Sequence, residues 1–460
     1  MAQVAAWMKA NGARVSGSDE DVYPPMSDFL RAQGIEVFSP YRAENLNSAQ
    51  IAVIGNALSR GNPEVEAVLE KRLPYVSLPE LIRAHILTDR LPIVVAGTHG
   101  KTTTTAALTQ ILKAAGFSPG YLIGGLPVGW DAGFHGGQGR WFAIEGDEYD
   151  SAFFDKRPKF LHYQPHVVVL NNIEFDHADI YASIEDIYLQ FSRLIQLIPR
   201  NGCLVINRDE SNLDVLISKA LCPVRTFSLK ANADVRGELV ELSPEGMKFK
   251  LHLASGHELL CGTPLWGNHQ LSNLIGAAAA AEFAGATPPQ IAAGIAQFRG
   301  VHRRLELKFS ASGRWLYDDF AHHPTAVKAA LSSLRARHPG IFLAAAFEPR
   351  SNTMVRNFFQ SEMPAALSLA DRVVLGGIHR RDRIPADQRL DVSRIVADLR
   401  AERKEAHCCN DADKAVGLLL RDLPPQAVIV LMSNGAFSGL CARILERLRL
   451  TTAEEISPGT

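Results

Sequence analysis

The run Ile93-Val94-Val95-Ala96-Gly97-Thr98-His99-Gly100-Lys101-Thr102 passes from an apolar strand into a glycine turn, and Thr103 to Leu112 continues with a helical pattern. Glycines let successive backbone N–H groups converge on phosphate oxygens at a helix N-terminus. A lysine adds a point charge, and a threonine hydroxyl can ligate Mg²⁺. Gly97, Thr98, His99, Gly100, Lys101, Thr102 and Thr103 therefore predict a phosphate-binding loop for a nucleoside triphosphate. Val95 stands where the usual pattern has its first glycine, so the match is to a shorter G-x-x-G-K-T form.

Two acidic clusters follow at strand ends. Glu145-Gly146-Asp147-Glu148-Tyr149-Asp150 comes directly after the strand Trp141 to Ile144, and Asn171-Asn172-Ile173-Glu174-Phe175-Asp176-His177 directly after the strand Val167 to Leu170. In an open α/β sheet the carboxyl ends of parallel strands line the ligand crevice, so both clusters can face phosphates held by Lys101. Their hard oxygen ligands and one histidine suit a Mg²⁺ ion that bridges phosphate groups. Taken alone, an acidic run reads as a solvated loop and a single histidine as a surface or core residue. Their joint placement after a phosphate loop reverses that preference.

Further along, Gly267-Asn268-His269-Gln270-Leu271-Ser272-Asn273 leads into an alanine-rich helix. His269 and Asn273, four apart, share a face if both lie on that helix, where they can meet a base or ribose. Tyr317-Asp318-Asp319-Phe320-Ala321-His322-His323-Pro324 and Glu348-Pro349-Arg350-Ser351-Asn352-Thr353 each follow a strand. Arg350 at such an end suits a carboxylate or phosphate clamp.

The elements that must carry these residues read as repeated βα units around largely parallel sheets. The chain has 460 residues, enough for about three domains at roughly 150 residues each. The stretch Thr88-Asp89-Arg90-Leu91-Pro92 and the basic linker Arg299 to Arg304 are the expected boundaries. They divide the chain into 1–88, 89–299 and 300–450, with a loose tail over 451–460. Residues 14–18, 35–38 and 51–54 read as strands of a Rossmann-like first domain. That domain opens on a helix instead of the usual strand and glycine turn. The expectation is either that the natural protein begins upstream of Met1 or that the chain binds its first-domain ligand poorly.

Lys plus Arg total 48 against 49 Asp plus Glu, so no bulk field draws the protein to nucleic acid or an anionic membrane. No apolar run approaches the ~20 residues that cross a bilayer. The amino terminus lacks the pattern of a secretory signal. Six cysteines without C-x-x-C spacing read as reduced cytoplasmic thiols.

Gly-Thr-His-Gly-Lys-Thr-Thr-Thr-Thr (97–105), Asn-Ile-Glu-Phe-Asp-His (172–177), Arg-Arg-Leu-Glu (303–306) and Asp-Asp-Phe-Ala-His-His-Pro-Thr (318–325), in this order, resemble the Mur ligase family. The resemblance runs from about residue 14 to 448. It implies an α/β chain of three domains, with Rossmann-like first and third domains and a central P-loop ATPase domain. The implied reaction joins an amine to a carboxylate at the expense of ATP.

Glu145 to Arg157, Tyr23 to Ser27, Arg60 to Pro63, Glu348 to Met354 and Met432 to Gly435 resemble one branch of the family. That branch attaches the murein tripeptide L-alanyl-γ-D-glutamyl-meso-diaminopimelate to UDP-N-acetylmuramate in peptidoglycan recycling. The relative that adds free L-alanine typically lacks the Phe-Asp-Lys-Arg segment at 154–157 and carries His-Arg where this chain has Arg350-Ser351.

Carried over residue by residue, the resemblance gives Lys101 to the β and γ phosphates, Thr102 and Glu145 to one Mg²⁺, and His177 to a second metal. Arg304 resembles the basic residue at the transferring phosphate, Asp319 the nucleotide-contacting acid and Asn273 the adenine-binding asparagine. Asn172, His323, Arg350, Ser351 and Asn352 are assigned to substrate. Gln270 departs from the asparagine usual in relatives. No lysine lies between His177 and Arg200, so the carbamoylated lysine of several members has no counterpart there. L-alanine addition, folate polyglutamylation and ATP binding without ligation are the competing readings.

Overall fold

Runs of aliphatic residues without polar interruption form strands buried on both faces. Leu91–Ala96, Val167–Leu170 and Cys203–Asn207 are such runs, and they lie next to one another inside a ten-stranded sheet. The computed structural model describes residues 1–22, 26–243, 245–379 and 381–456. Of the motif at 23–27 only Met26 and Ser27 fall within them, and residues 457–460 of the tail fall outside.

In spatial order the large sheet runs Glu258–Thr263, Gly246–His252, Val235–Ser243, Val224–Ser228, Cys203–Asn207, Val167–Leu170, Leu91–Ala96, Trp141–Gly146, Gly120–Leu122 and Phe134–His135. Its middle is parallel, from Val235–Ser243 across to Gly120–Leu122, and its edges are antiparallel. The helices Lys101–Ala114, Asn268–Phe283 and Pro288–Gln297 pack on one face, and Ile184–Gln196 on the other.

A second sheet has six strands in the order Glu306–Ala311, Arg314–Asp319, Ala427–Met432, Phe342–Phe347, Arg372–Leu375 and Glu405–Cys408. It is parallel apart from its first hairpin. The first ninety residues hold two separate parallel pairs, Ser16–Ser18 with Glu36–Phe38 and Ala52–Ile54 with Tyr75–Ser77. The resulting α/β architecture has the parallel sheets expected from the sequence.

Two expectations need correction. The largely parallel pattern does not extend to 235–263, which form an antiparallel meander. Its middle strand alternates buried Met247, Phe249 and Leu251 with outward Lys248 and Lys250, the two-residue period of a sheet with one wet face. The tail is also not loose from residue 451: the last helix, Leu440–Ile456, runs six residues past Leu450. Thr451, Thr452, Ala453 and the two glutamates carry no helix breaker, so nothing stops it at the end of the apolar pattern.

The linker between the two sheets has a marked backbone. Gly300, Arg303 and Leu305 all have positive φ (92°, 60° and 50°), and two of the three are not glycine. Such residues persist where surrounding contacts fix them. Arg303 donates to the carbonyls of Ser433 and Gly435 at 2.6 and 2.7 Å, and the Leu305 N–H donates to Asp319 at 2.6 Å.

Candidate active site

Strand Leu91–Ala96 delivers Gly97 to the carboxyl edge of the large sheet, and the helix Lys101–Ala114 starts four residues later. Gly97 and Gly100 have φ of 131° and 82°. A Cβ on Gly100 would stand 2.3 Å from Asn273 Oδ1, and one on Gly97 2.8 Å from the Asn172 carbonyl. Close backbone approach thus explains both glycines.

Lys101 is enclosed. Its Nζ donates to the Gly97 carbonyl at 2.7 Å and to both oxygens of Glu148 at 2.8 and 3.2 Å. Burial works against its charge, but Glu148 and then Asp147 hold it above the ordinary lysine range. Glu148 also meets His177 Nε2 at 3.2 Å. Although burial pushes its carboxyl up, Lys101 and His177 bring it down to about 2. Glu148 lies within the acidic run but was not among the assigned site residues. The run's sequence does not say which of its carboxylates turns back onto Lys101.

Glu145 has a different environment. Its Oε2 accepts from the Thr102 hydroxyl at 2.9 Å and its Oε1 from the Gly124 N–H at 2.5 Å. Burial and then repulsion from Asp147 raise its pKa. Thr102, Glu145 and His177 therefore offer a hydroxyl, a carboxylate and an imidazole in a buried region with excess negative charge. That donor set fits a divalent cation.

Arg304, from the strained linker, reaches the Thr102 hydroxyl at 3.4 Å and so brings a third-domain cation to the phosphate loop. Asp319 faces Arg304 but spends both oxygens on backbone N–H groups, of Leu305 at 2.6 Å and of Ala321 at 2.7 Å. Asp319 thus shapes the linker as well as lining the cleft. Asn273 accepts from Thr104, whose hydroxyl also takes a bond from Asn171, so the helix Asn268–Phe283 is tied to the phosphate-loop helix. His269 lies one turn from Asn273, and burial, then Arg304, lower its pKa to about 4.

Gly100, Lys101, Thr102, Glu145, Asp147, His177, His269, Asn273, Arg304 and Asp319 line one cleft of about 1420 Å³ between the two sheets. Arg350, Ser351, Asn352, Arg356 and His379 line it from the third domain. Arg350 stands 3.5 Å from Glu348, and Asn352 crosses to Asp179 at 2.8 Å. A Cβ on Gly435 would come within 2.3 Å of Arg350 Nε, which accounts for the glycine in the Met-Ser-Asn-Gly run.

Two residues assigned to substrate are engaged otherwise. Asn172 lines the cleft, but its amide accepts from the His99 N–H at 2.8 Å and donates to the His99 carbonyl at 3.3 Å, bracing the phosphate loop. His323 is buried, does not line the cleft and caps the helix Pro324–Arg337. A single sequence cannot distinguish a ligand-facing histidine from one that a neighbouring domain buries.

Comparison with known proteins bears on the whole chain. Residues 1–90 match the model of the Mur ligase family catalytic domain, 95–281 the Mur ligase middle domain and 303–435 the Mur ligase glutamate ligase domain. The chain is 38% identical over 455 residues to UDP-N-acetylmuramate–L-alanyl-γ-D-glutamyl-meso-2,6-diaminoheptandioate ligase of Escherichia coli (strain K12), covering 97% of this chain and 96% of that one. It is 36% identical to the protein of the same name from Haemophilus influenzae, over 98% and 97% of the two chains. The crystal structure of a murein peptide ligase from Psychrobacter arcticus superposes with a TM-score of 0.73 at 32% identity, covering 97% and 96%.

Proposed function

The chain belongs to the Mur ligase family of ATP-dependent, amide-forming ligases, and we propose that it joins the tripeptide L-alanyl-γ-D-glutamyl-meso-diaminopimelate to UDP-N-acetylmuramate in peptidoglycan recycling. The lactyl carboxylate of the sugar nucleotide attacks the γ-phosphorus of ATP and ADP leaves, which gives an acyl phosphate. The alanyl amine then attacks the acyl carbon, and phosphate leaves with the C–O bond electrons.

Both steps concentrate negative charge on phosphoryl or carbonyl oxygens, so catalysis is a matter of placing positive charge and orienting reactants. Lys101 leaves Glu148 for the β and γ phosphates. Arg304, beside Thr102, faces the transferring group. Thr102 and Glu145 would hold one Mg²⁺ and His177 a second metal, and these ions would draw charge from the phosphate oxygens. Asn273 and His269 line the side of the cleft available to the nucleoside.

The observation that carries the peptide reading is the third domain's part of the cleft lining. At ~1420 Å³ the cleft has room for more than one ligand, a pocket for one drug-sized ligand being ~300–1,000 Å³. Arg350 and Arg356 of the third domain line it and suit a peptide with several carboxylates. Among the described residues no helix is long and apolar enough to cross a membrane, in keeping with water-soluble substrates and a cytoplasmic site of action.

The test uses UDP-N-acetylmuramate labelled with ¹⁸O in its carboxylate, together with ATP, Mg²⁺ and the tripeptide. The expected result is a product heavier by the tripeptide less water, with one ¹⁸O recovered in inorganic phosphate. ADP release with unlabelled phosphate, or no adduct, would overturn the proposal.

A further inference from the structure

Glu174 plays no part in the chemistry above and is not among the residues that line the cleft. It is nevertheless bound to both bodies that must meet for ligation. Its N–H donates to the Thr98 hydroxyl at 2.8 Å, and that hydroxyl donates to its carbonyl at 3.2 Å. Its carboxylate Oε2 lies 2.8 Å from His99 Nε2 on the phosphate loop and 3.2 Å from His323 Nδ1 on the third domain. Its Oε1 accepts from the Thr325 hydroxyl, also on the third domain, at 2.9 Å.

Each partner is held firmly from its other side. Asn172 grips both backbone groups of His99. His323 is buried and packs its ring against Phe359 at 4.5 Å. Thr325, Ala326, Ala329 and Ala330 of the helix Pro324–Arg337 line the cleft. A shift of the third domain therefore reaches the phosphate loop through this carboxylate, beside the His99–His323 ring contact at 4.7 Å and Arg304 at Thr102. The side chain has little freedom, because three partners from two bodies converge on its two oxygens.

We propose that Glu174 is a positioning residue for the ligation: its carboxylate sets the angle at which the third domain seats on the phosphate loop, and with it the alignment of the peptide amine and the acyl phosphate. This rests on the ligase reading. A misplacement of about 1 Å costs on the order of a hundredfold in rate where reacting groups must be aligned. The central domain keeps the whole phosphate loop, so nucleotide binding alone does not need the contact.

The experiment compares Glu174→Ala, Glu174→Asp, Glu174→Gln, Thr325→Val, Thr325→Ser and the pair Glu174→Ala with Thr325→Val. Readouts are kcat for ligation, equilibrium Kd for ATP, and thermal melting. Glu174→Ala should lower kcat by about ten- to a hundredfold while ATP Kd changes less than about threefold. Glu174→Asp withdraws the carboxylate by about one C–C bond of 1.5 Å and should behave like alanine. Glu174→Gln, which still accepts from Thr325, should recover most of the rate, as should Thr325→Ser.

The double variant should be no slower than Glu174→Ala alone, because both changes remove the same bond. Should Glu174→Ala fail to fold, Thr325→Val, an exposed change remote from the phosphate-loop backbone, carries the test through the same split of kcat from ATP Kd. Unchanged kcat, additive losses, or an ATP Kd that weakens as much as kcat falls would overturn the proposal. A wild-type protein that ligates nothing would instead refute the ligase reading, so the two failures are distinguishable.

Discussion

The central domain meets its two neighbours through joints of opposite character. Towards the first domain the joint is apolar. Val4, Leu81, Ile82, Ile86 and Leu87 belong to the same buried cluster as Val94, Phe142 and Phe160 of the central domain. The hairpin of Asp150–Ala152 and Asp155–Pro158 drives Phe153 and Phe154 against the Ile54, Val65 and Val68 core, with the Phe154 and Tyr75 rings 4.8 Å apart. Towards the third domain the joint is mainly polar, with one aromatic contact between Phe175 and Phe358 at 5.4 Å. Asp176 accepts from Thr353 at 2.6 Å, Asn352 reaches Asp179, Arg304 reaches Thr102, and Glu174 gathers His323 and Thr325.

Among the described residues, the third domain's two buried clusters contain no residue before Leu305. A shared apolar core resists separation, because parting exposes it to water. Polar contacts can be exchanged for water at a net cost of only about 1 kcal/mol each. The first and central domains should therefore move as one body, with the third opening and closing on it. That suits a reaction in which the acyl phosphate must be shielded while the peptide is admitted.

The sharpest contrast comes from removing the chemistry and leaving both joints in place. Lys101→Ala should slow acyl phosphate formation by about 10²–10³-fold or more. Loss of the cation leaves Glu148 with His177 alone, so any loss of melting temperature should be confined to the central domain. ADP release at the wild-type rate would contradict this. At the polar joint, Arg350→Ala should raise the KM for tripeptide by about ten- to a hundredfold, the worth of one charged hydrogen bond. The KM for ATP should hold; if it alone changes, the third-domain wall does not face the peptide.

At the apolar joint, Phe154→Ala should cost roughly 1–3 kcal/mol in denaturant unfolding, a partly buried ring being worth less than the 3–5 kcal/mol of a fully buried one. It should weaken UDP-sugar binding measured by calorimetry and spare ATP binding. The reverse pattern would undo the assignment of this hairpin. The smallest effect should be the pH dependence of the same joint. The Arg157 fork, and to a smaller degree His162, hold the Asp155 carboxyl below its ordinary range against the effect of burial. A depressed folded pKa gives stability that is whole above the unfolded value of about 3.9 and falls away as pH drops through the folded one. Asp155→Asn should therefore lower stability at pH 7, and its difference from the wild type should shrink as pH falls below about 4.

The sequence made the phosphate loop and the strand-end clusters legible because each sits within a few residues of a pattern set by backbone geometry. Thr102 and Glu145, both assigned from these patterns, meet through a hydrogen bond of 2.9 Å. What it did not reveal depends on distant pairings. Glu174 and Thr325 are 151 positions apart, and nothing local marks either as the other's partner. Asn172 and His323 have side chains common in ligand sites, yet the loop bracing and domain burial that occupy them exist only in three dimensions. The Phe-Asp-Lys-Arg segment was legible as a branch feature, and its packing shows that Phe154 holds the first domain, Asp155 turns to Arg157 and His162, and Lys156 and Arg157 remain exposed. The meander at 235–263 carries an alternating pattern that is short beside the βα rhythm around it.

The reading of this chain as a peptide-adding ligase is tested most directly by competition. Tripeptide and L-alanine at equal concentration, with UDP-N-acetylmuramate limiting and ATP and Mg²⁺ in excess, compete for one acyl phosphate, and product masses report the ratio of their kcat/KM values. The tripeptide adduct should dominate. An excess of the alanine adduct would contradict the account.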